Sequence, residues 1–287
     1  MPSTYAHYTF GRKVYQHLPE DLRRIVDTHR QLYCIGLHGP DIFFYYKALK
    51  KNPVSQLGHG MHGEPGERFF RRAAEILKKQ ESQEEKEQLA AYLLGFLCHF
   101  ALDIRCHGYV ESKIQRSGIT HSEIEVEFDR YLMVERGINP CIHRLTRHIV
   151  PSEENAEAIA KVFPELTAEQ VEASLKAMVF YDRLLLAPWD AKRQILYLGM
   201  KVIGQYEGMH GLVVNKEPNP DCRDSNLRLE KLMKQAVTYV QELYENYLGY
   251  LKGENGLSAE FQKDFSAGKN WEQIPVYSYE EELHYEI

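Results

Sequence analysis

His99, Asp103 and His107 stand at intervals of four within one apolar stretch, LLGFLCHFALDIRCHGYVE. His121 and Glu125 repeat the interval, beginning fourteen residues after His107. In an α-helix a step of four turns a side chain by only about 40°, so the three share one face over roughly two turns. A globular helix seldom buries two imidazoles and a carboxylate unless a cation compensates them. Imidazole nitrogen and carboxylate oxygen are ordinary ligands of first-row metal ions, and the i, i+4 spacing lets two of them grip one ion or neighbouring ions. A lone histidine on such a face is usually a satisfied core residue. HxxxDxxxH followed by HxxxE points instead to metal binding.

Helices must carry these residues. Apolar positions recur at helical spacing almost throughout, and runs of alternating β-branched residues are scarce. The periodicity predicts helices at about 20–34, 67–80, 85–110, 121–136, 168–186, 190–207 and 224–252. Thr120, Ser152 and Thr167 are candidate N-caps, and Thr120 with Glu123 has the spacing of a capping box. KKQESQEEKEQ at 78–88 reads as a solvated helix end and turn, and NKEPNPDCRDSN at 215–226 as a loop. Two glycine-containing segments read as irregular: GLHGPDIFFYY at 36–46, around Asp41, and LGHGMHGEPGE at 57–67, with His59 and His62. The two histidines compete for one ligand role. The expected architecture is all-α, one domain over 1–287, with ligands in 1–125 and packing helices and a tail in 150–287.

Composition narrows the function classes. A net charge of −6 gives no reason to expect a polyanion partner, so no stable nucleic-acid complex is expected. Five cysteines, Cys34, Cys98, Cys106, Cys141 and Cys222, form an odd set without CxxC spacing, against both a disulfide framework and a thiolate zinc site. The opening MPSTYAHYTFGRKVYQHLP lacks the basic and apolar regions of a secretory signal. No uninterrupted apolar run approaches the ~20 residues that span a bilayer, so no transmembrane segment is expected. A cytoplasmic location is the simplest reading.

Five short motifs, AHYTFG, GPDIFFYY, LGHGMHGE, HFALDIRCH and HSEIE, follow one another from about His7 to Glu125. In that order they resemble the zinc-dependent phospholipase C family, whose fold is shared with the S1/P1-type nucleases; a cytoplasmic bacterial member is expected. The resemblance implies a multi-helix bundle with up to three zinc ions at one end. It implies Asp41, His62, His99 and Asp103 as ligands of a first ion, and His107, His121 and Glu125 of a second. Asp103 would bridge to a third, where His7 matches the remaining histidine, and Asp41 is also the implied general base.

Two departures stand out. Secreted members complete the third site with an N-terminal tryptophan, whereas this chain has none before Trp189. That site is left to water, His38 or another backbone group, or is empty. The interval from Asp103 to His107 is also shorter than in the secreted phospholipases. The expected activity is zinc-dependent hydrolysis of a phosphoric ester, with a small phosphoester or phospholipid headgroup as substrate and two or three Zn²⁺ as cofactors. Clustered zinc suits this chemistry because one ion acidifies water while a neighbour offsets phosphoryl charge. Phe44 and Tyr45 are candidate substrate contacts. Two other readings stay open: a non-catalytic metal-binding helical protein, and a nuclease or nucleotidase of the S1/P1 type. An HD-type phosphohydrolase is disfavoured, because the chain has no HD dipeptide.

Overall fold

The apolar stretch with the spaced ligand candidates lies in a helix of 35 residues, Gln83–Ser117, around which the other elements pack. The Ser82 side chain starts it by accepting the Glu85 N–H, and Glu84 and Glu85 complement the dipole of the first turn. Gly118 ends it in a left-handed conformation, φ 72°. In this computed structural model, which describes residues 4–287, the order of elements is as follows. α1 (Thr4–Tyr15), α2 (Glu20–Thr28) and α3 (Arg30–Gly36) lead into a 3₁₀ helix, Gly39–Tyr45; α4 (Pro53–His62) and α5 (Gly66–Lys79) then precede the long helix, α6. After it come α7 (His121–Val134), α8 (Glu153–Ala160), α9 (Ala168–Leu185), α10 (Asp190–Val202) and the short α11 (Tyr206–Met209). A long α12 (Arg223–Lys252) and a terminal α13 (Tyr279–His284) complete the chain. The described residues form an all-helical bundle with no β-strand.

Several expectations are corrected. The glycine-rich segment at 57–67 is not an irregular loop, because α4 runs through it to His62. Asn52 accepts the Ser55 N–H and Pro53 occupies the first turn, a strong start that outweighs the helix-weakening glycines. The segment at 36–46 is largely the 3₁₀ helix. The single helix expected at 20–34 is two, broken at His29 (φ −116°, ψ 43°), a break that no proline or glycine marks. Thr120 caps α7 as expected, but Glu123 does not return the bond; its carboxylate accepts from the Asn219 side chain instead. Fully reciprocal capping boxes are formed by Thr167 with Gln170 and by Ser278 with Glu281.

One apolar core runs from Tyr5 to Phe265. Phe69, Phe96 and Phe163 form a ring stack in it, with Phe69 and Phe96 centroids 4.1 Å apart. By length and composition α6 is apolar enough to cross a membrane, which counting uninterrupted runs did not reveal. In the bundle, 83% of that window is buried.

The crossing of α3 on α6 fixes the geometry that matters next. A Cβ at Gly36 would lie 2.2 Å from the Tyr92 carbonyl oxygen, and one at Gly95 would lie 2.2 Å from that of Tyr33. Only glycine lets the backbones meet so closely. One helical turn beyond Gly95 is His99, and five residues beyond Gly36 is Asp41.

Candidate metal centre

Five elements bring eight titratable side chains together around the middle of α6. α6 supplies His99, Asp103 and His107, α7 supplies His121 and Glu125, α1 supplies His7, the 3₁₀ helix Asp41 and α4 His62. Three groups have ligand atoms all within 4.8 Å of one another: His7, Asp41 and His99; His62, His99 and Asp103; His107, His121 and Glu125.

Asp103 is the hub. Its Oδ1 lies 3.2 Å from His7 Nε2, and its Oδ2 lies 3.1 Å from His99 Nε2, 3.9 Å from His107 Nδ1 and 4.0 Å from His62 Nε2. Asp41 Oδ1 lies 2.9 Å from His62 Nε2, and its other oxygen 3.9 Å from His99 Nε2. In the neighbouring group, Glu125 Oε1 lies 3.1 Å from His121 Nε2 and 3.6 Å from His107 Nε2. The short interval from Asp103 to His107 is simply one more turn of α6.

Carbonyls fix two of the imidazoles. His62 Nδ1 donates to Gly58 O at 2.8 Å, and His107 Nδ1 donates to Phe265 O. Each bond selects the tautomer whose Nε2 lone pair faces the cluster, the usual arrangement behind a metal-binding histidine. His99 is held by shape: a Cβ at Gly39 would lie 2.2 Å from its ring, and Gly39 has φ +46°.

The donor set fits a cation. His99 Nε2, Asp103 Oδ2 and Glu125 Oε2 are buried without a hydrogen-bond partner. Buried polar atoms are ordinarily paired; the first two belong to one ligand group and the third to another, so each group has a place where a cation would complete the bonding. Nitrogen and carboxylate oxygen in groups of three are the ligand chemistry of zinc.

Charge follows the same pattern. Burial disfavours the Asp103 anion, yet the His99 and His107 charges, with a hydrogen bond from His7, hold its carboxyl well below the ordinary value. Glu125 is lowered in the same way by His121 and His107, against its own burial. For His62, burial opposes the cation, but the hydrogen bond and charge of Asp41 win and raise it to about 9. The Glu125 charge raises His121 to about 10, against desolvation, with a further hydrogen bond donated to Glu111. The three carboxylates of the cluster are held as anions that seek a cation.

The remaining candidates separate cleanly. His59 is in none of the three groups; its ring stacks on Phe44 at 4.2 Å. His38 is fully buried, and its Nε2 lies 2.7 Å from His148 Nε2 rather than in the cluster. Burial pushes His148 down to about 3 and His38 well down too, so both rings are neutral. A backbone group offered to a third ion by the extreme N-terminus falls among Met1–Ser3, outside the described residues. Phe44, Tyr45, His59 and His121 all line one cleft of about 1010 Å³.

Sequence reasoning missed the supports. Asp129 accepts the N–H groups of Tyr5 and Ala6 at 2.9 and 2.7 Å, fixing the turn that presents His7. Glu111 lies 3.4 Å from His121 Nδ1. Phe265 belongs to a C-terminal segment expected only to pack; its N–H donates to His62 O as its own carbonyl receives His107. The segment is tied down beyond the site, where α13 Glu282 accepts from Arg228 of α12. No local pattern could reveal contacts between residues so far apart.

The chain is an all-helical bundle that gathers imidazoles and carboxylates into three groups able to coordinate metal ions. The model of the family described as zinc dependent phospholipase C matches residues 6–176, more than half of the chain, and the protein belongs to that family. No curated protein and no solved structure matches it. All eight clustered side chains fall within the matched segment; α10 to α13 and Phe265 lie beyond it.

Proposed function

We propose that the protein is a zinc-dependent phosphoric ester hydrolase of phospholipase C type, acting on a small phosphoester or a phospholipid headgroup. The observation that carries this reading is the set of three ligand groups, two of them sharing His99 and the third reached from Asp103 through His107, beside an open cleft that His121 helps to line. A purely structural metal site is closed by protein ligands, whereas a catalytic one keeps an accessible position. The cleft favours catalysis over a non-catalytic metal-binding role.

Asp41, His62, His99 and Asp103 would hold one ion, and His107, His121 and Glu125 a second. His7 with Asp103 would hold a third. Bound zinc supplies Lewis acidity, lowering the pKa of water in contact with it and offsetting charge on a phosphoryl group. Asp41 is held anionic despite its burial, by the His99 charge and the His62 hydrogen bond. It orients the attacking water and accepts its proton, a transfer its low basicity permits only once that water is acidified. Phe44 and His59 form an aromatic wall against which the organic part of the ester rests.

The test is hydrolysis of phosphodiester and phosphomonoester reporters by zinc-loaded protein. Asp41→Asn is expected to keep zinc while losing about 10²–10⁴-fold in turnover, the range of a general base. Zinc-loaded protein that cleaves no ester in a broad panel contradicts the reading.

A further inference from the structure

Beyond the matched family segment, α10 turns an apolar face to solvent. Trp189, Ile195, Leu198 and Val202 are 71, 69, 63 and 79% exposed. Ile195, Leu198 and Val202 follow the i, i+3, i+7 spacing of a single helix face. The opposite face is already satisfied: Met200 is buried with Ala187 and Val213 in a small cluster of its own, and Arg193 donates to the Val214 carbonyl. Scattered exposed apolar residues are ordinary, whereas a contiguous set on one helix marks an interaction surface.

The surface continues into the cleft. Ile203, just after α10, is 49% exposed and lines it, and Leu49, 61% exposed, lines it from the other side. Lys50 and Lys51 stand beside Leu49 on that wall, and no carboxylate is among the lining residues. Lys192 and Lys201 lie along α10, Arg193 is turned inward, and the acids Asp190 and Glu207 flank the segment, Asp190 being ion-paired with Lys216. An apolar ridge beside a cleft wall that carries lysines and no carboxylate complements a layer of phosphate headgroups over acyl chains. A second protein copy supplies no such reason for a cleft wall with lysines and no carboxylate.

We propose that the outer face of α10, with Trp189, docks on a phospholipid bilayer and sets the cleft against its headgroups. The inference rests on the hydrolase reading for its purpose, although docking itself is measured separately. Ile195, Leu198 and Val202 enter the interfacial layer and Trp189 sits at headgroup depth, where an amphipathic ring is favoured. The sequence alone predicts this helix but not which face is left to solvent, because both of its faces carry apolar residues.

The test uses the full zinc-loaded chain and vesicles of phosphatidylcholine containing phosphatidylglycerol. With only two tryptophans in the chain, fluorescence should shift to the blue on vesicle addition, and Trp189→Phe should abolish the shift. The Ile195→Ser, Val202→Ser double variant changes exposed positions only. It should co-sediment with vesicles at least about tenfold more weakly, having lost its apolar anchors. Its hydrolysis of a soluble reporter should be unchanged. Wild-type protein that ignores vesicles, or a double variant that binds them equally well, overturns the proposal. So does a dimer in sedimentation velocity that the double variant dissociates, since the face would then join two copies. Vesicle binding without hydrolysis of any reporter sustains docking and sinks the hydrolase reading alone.

Discussion

The Phe265 carbonyl receives the Nδ1 proton of His107 across 158 residues of sequence. The bond ties the C-terminal segment to the face of α6 that holds the cluster, and it decides which nitrogen of His107 faces Glu125. Phe265 itself is 1% exposed, packed on Phe100 at 4.8 Å. Phe265→Ala is expected to cost about 3–5 kcal/mol, as large-to-small core changes do. It should also weaken zinc at both sites, because its ring lies 5.6 and 5.9 Å from those of His62 and His99 while its carbonyl anchors His107. Chemical denaturation with zinc titration checks both, and unchanged zinc affinity would deny Phe265 its positioning role.

Asp103 and Glu125 should behave differently when neutralised. Asp103 faces four imidazoles, Glu125 two. Asp103→Asn is expected to lose at least two equivalents of zinc, and Glu125→Gln only one, counted by elemental analysis. Equal losses would mean that Asp103 bridges nothing.

Zinc must displace protons. His62 and His121 are raised to about 9 and about 10, so without a bound cation both are charged at neutral pH. Because their folded values lie above the ordinary 6.5, their ion pairs stabilise the cation-free protein fully below pH 6.5. That contribution fades as pH rises through about 9 and 10. Zinc affinity runs the other way, increasing with pH as the imidazoles deprotonate. Calorimetry at pH 7.5 in buffers of different ionisation enthalpy should find about one proton released per displaced imidazolium. No buffer dependence would contradict it.

Gly39 should tolerate no side chain. Gly39→Ala places a Cβ against the His99 ring and strains a φ of +46°. A loss of about 1–3 kcal/mol in stability is expected from the strained backbone alone, with turnover falling more than substrate affinity. Wild-type kinetics in the variant would show that His99 needs no such cradle.

The cluster was legible because its residues repeat within helices. His99, Asp103 and His107, then His121 and Glu125, obey i, i+4 spacing, and the structure groups His99 with Asp103 and His107 with His121 and Glu125. His62 and His59 were indistinguishable by spacing; the direction of α4, set by Asn52 and Pro53, turns His62 to Asp41 and His59 to Phe44. The supports were illegible for a different reason. Asp129 beneath His7 and Phe265 behind His107 act through long-range contacts that leave no period in the chain. His148, which has no ligand spacing, is the partner of His38 through the same kind of contact.

Anomalous diffraction at the zinc edge, from crystals of active protein, tests the central claim most directly. The account predicts one peak among Asp41, His62, His99 and Asp103, and another among His107, His121 and Glu125. Each should lie about 2.0–2.2 Å from its nitrogen and oxygen ligands. Active crystals with no zinc between these side chains would contradict it.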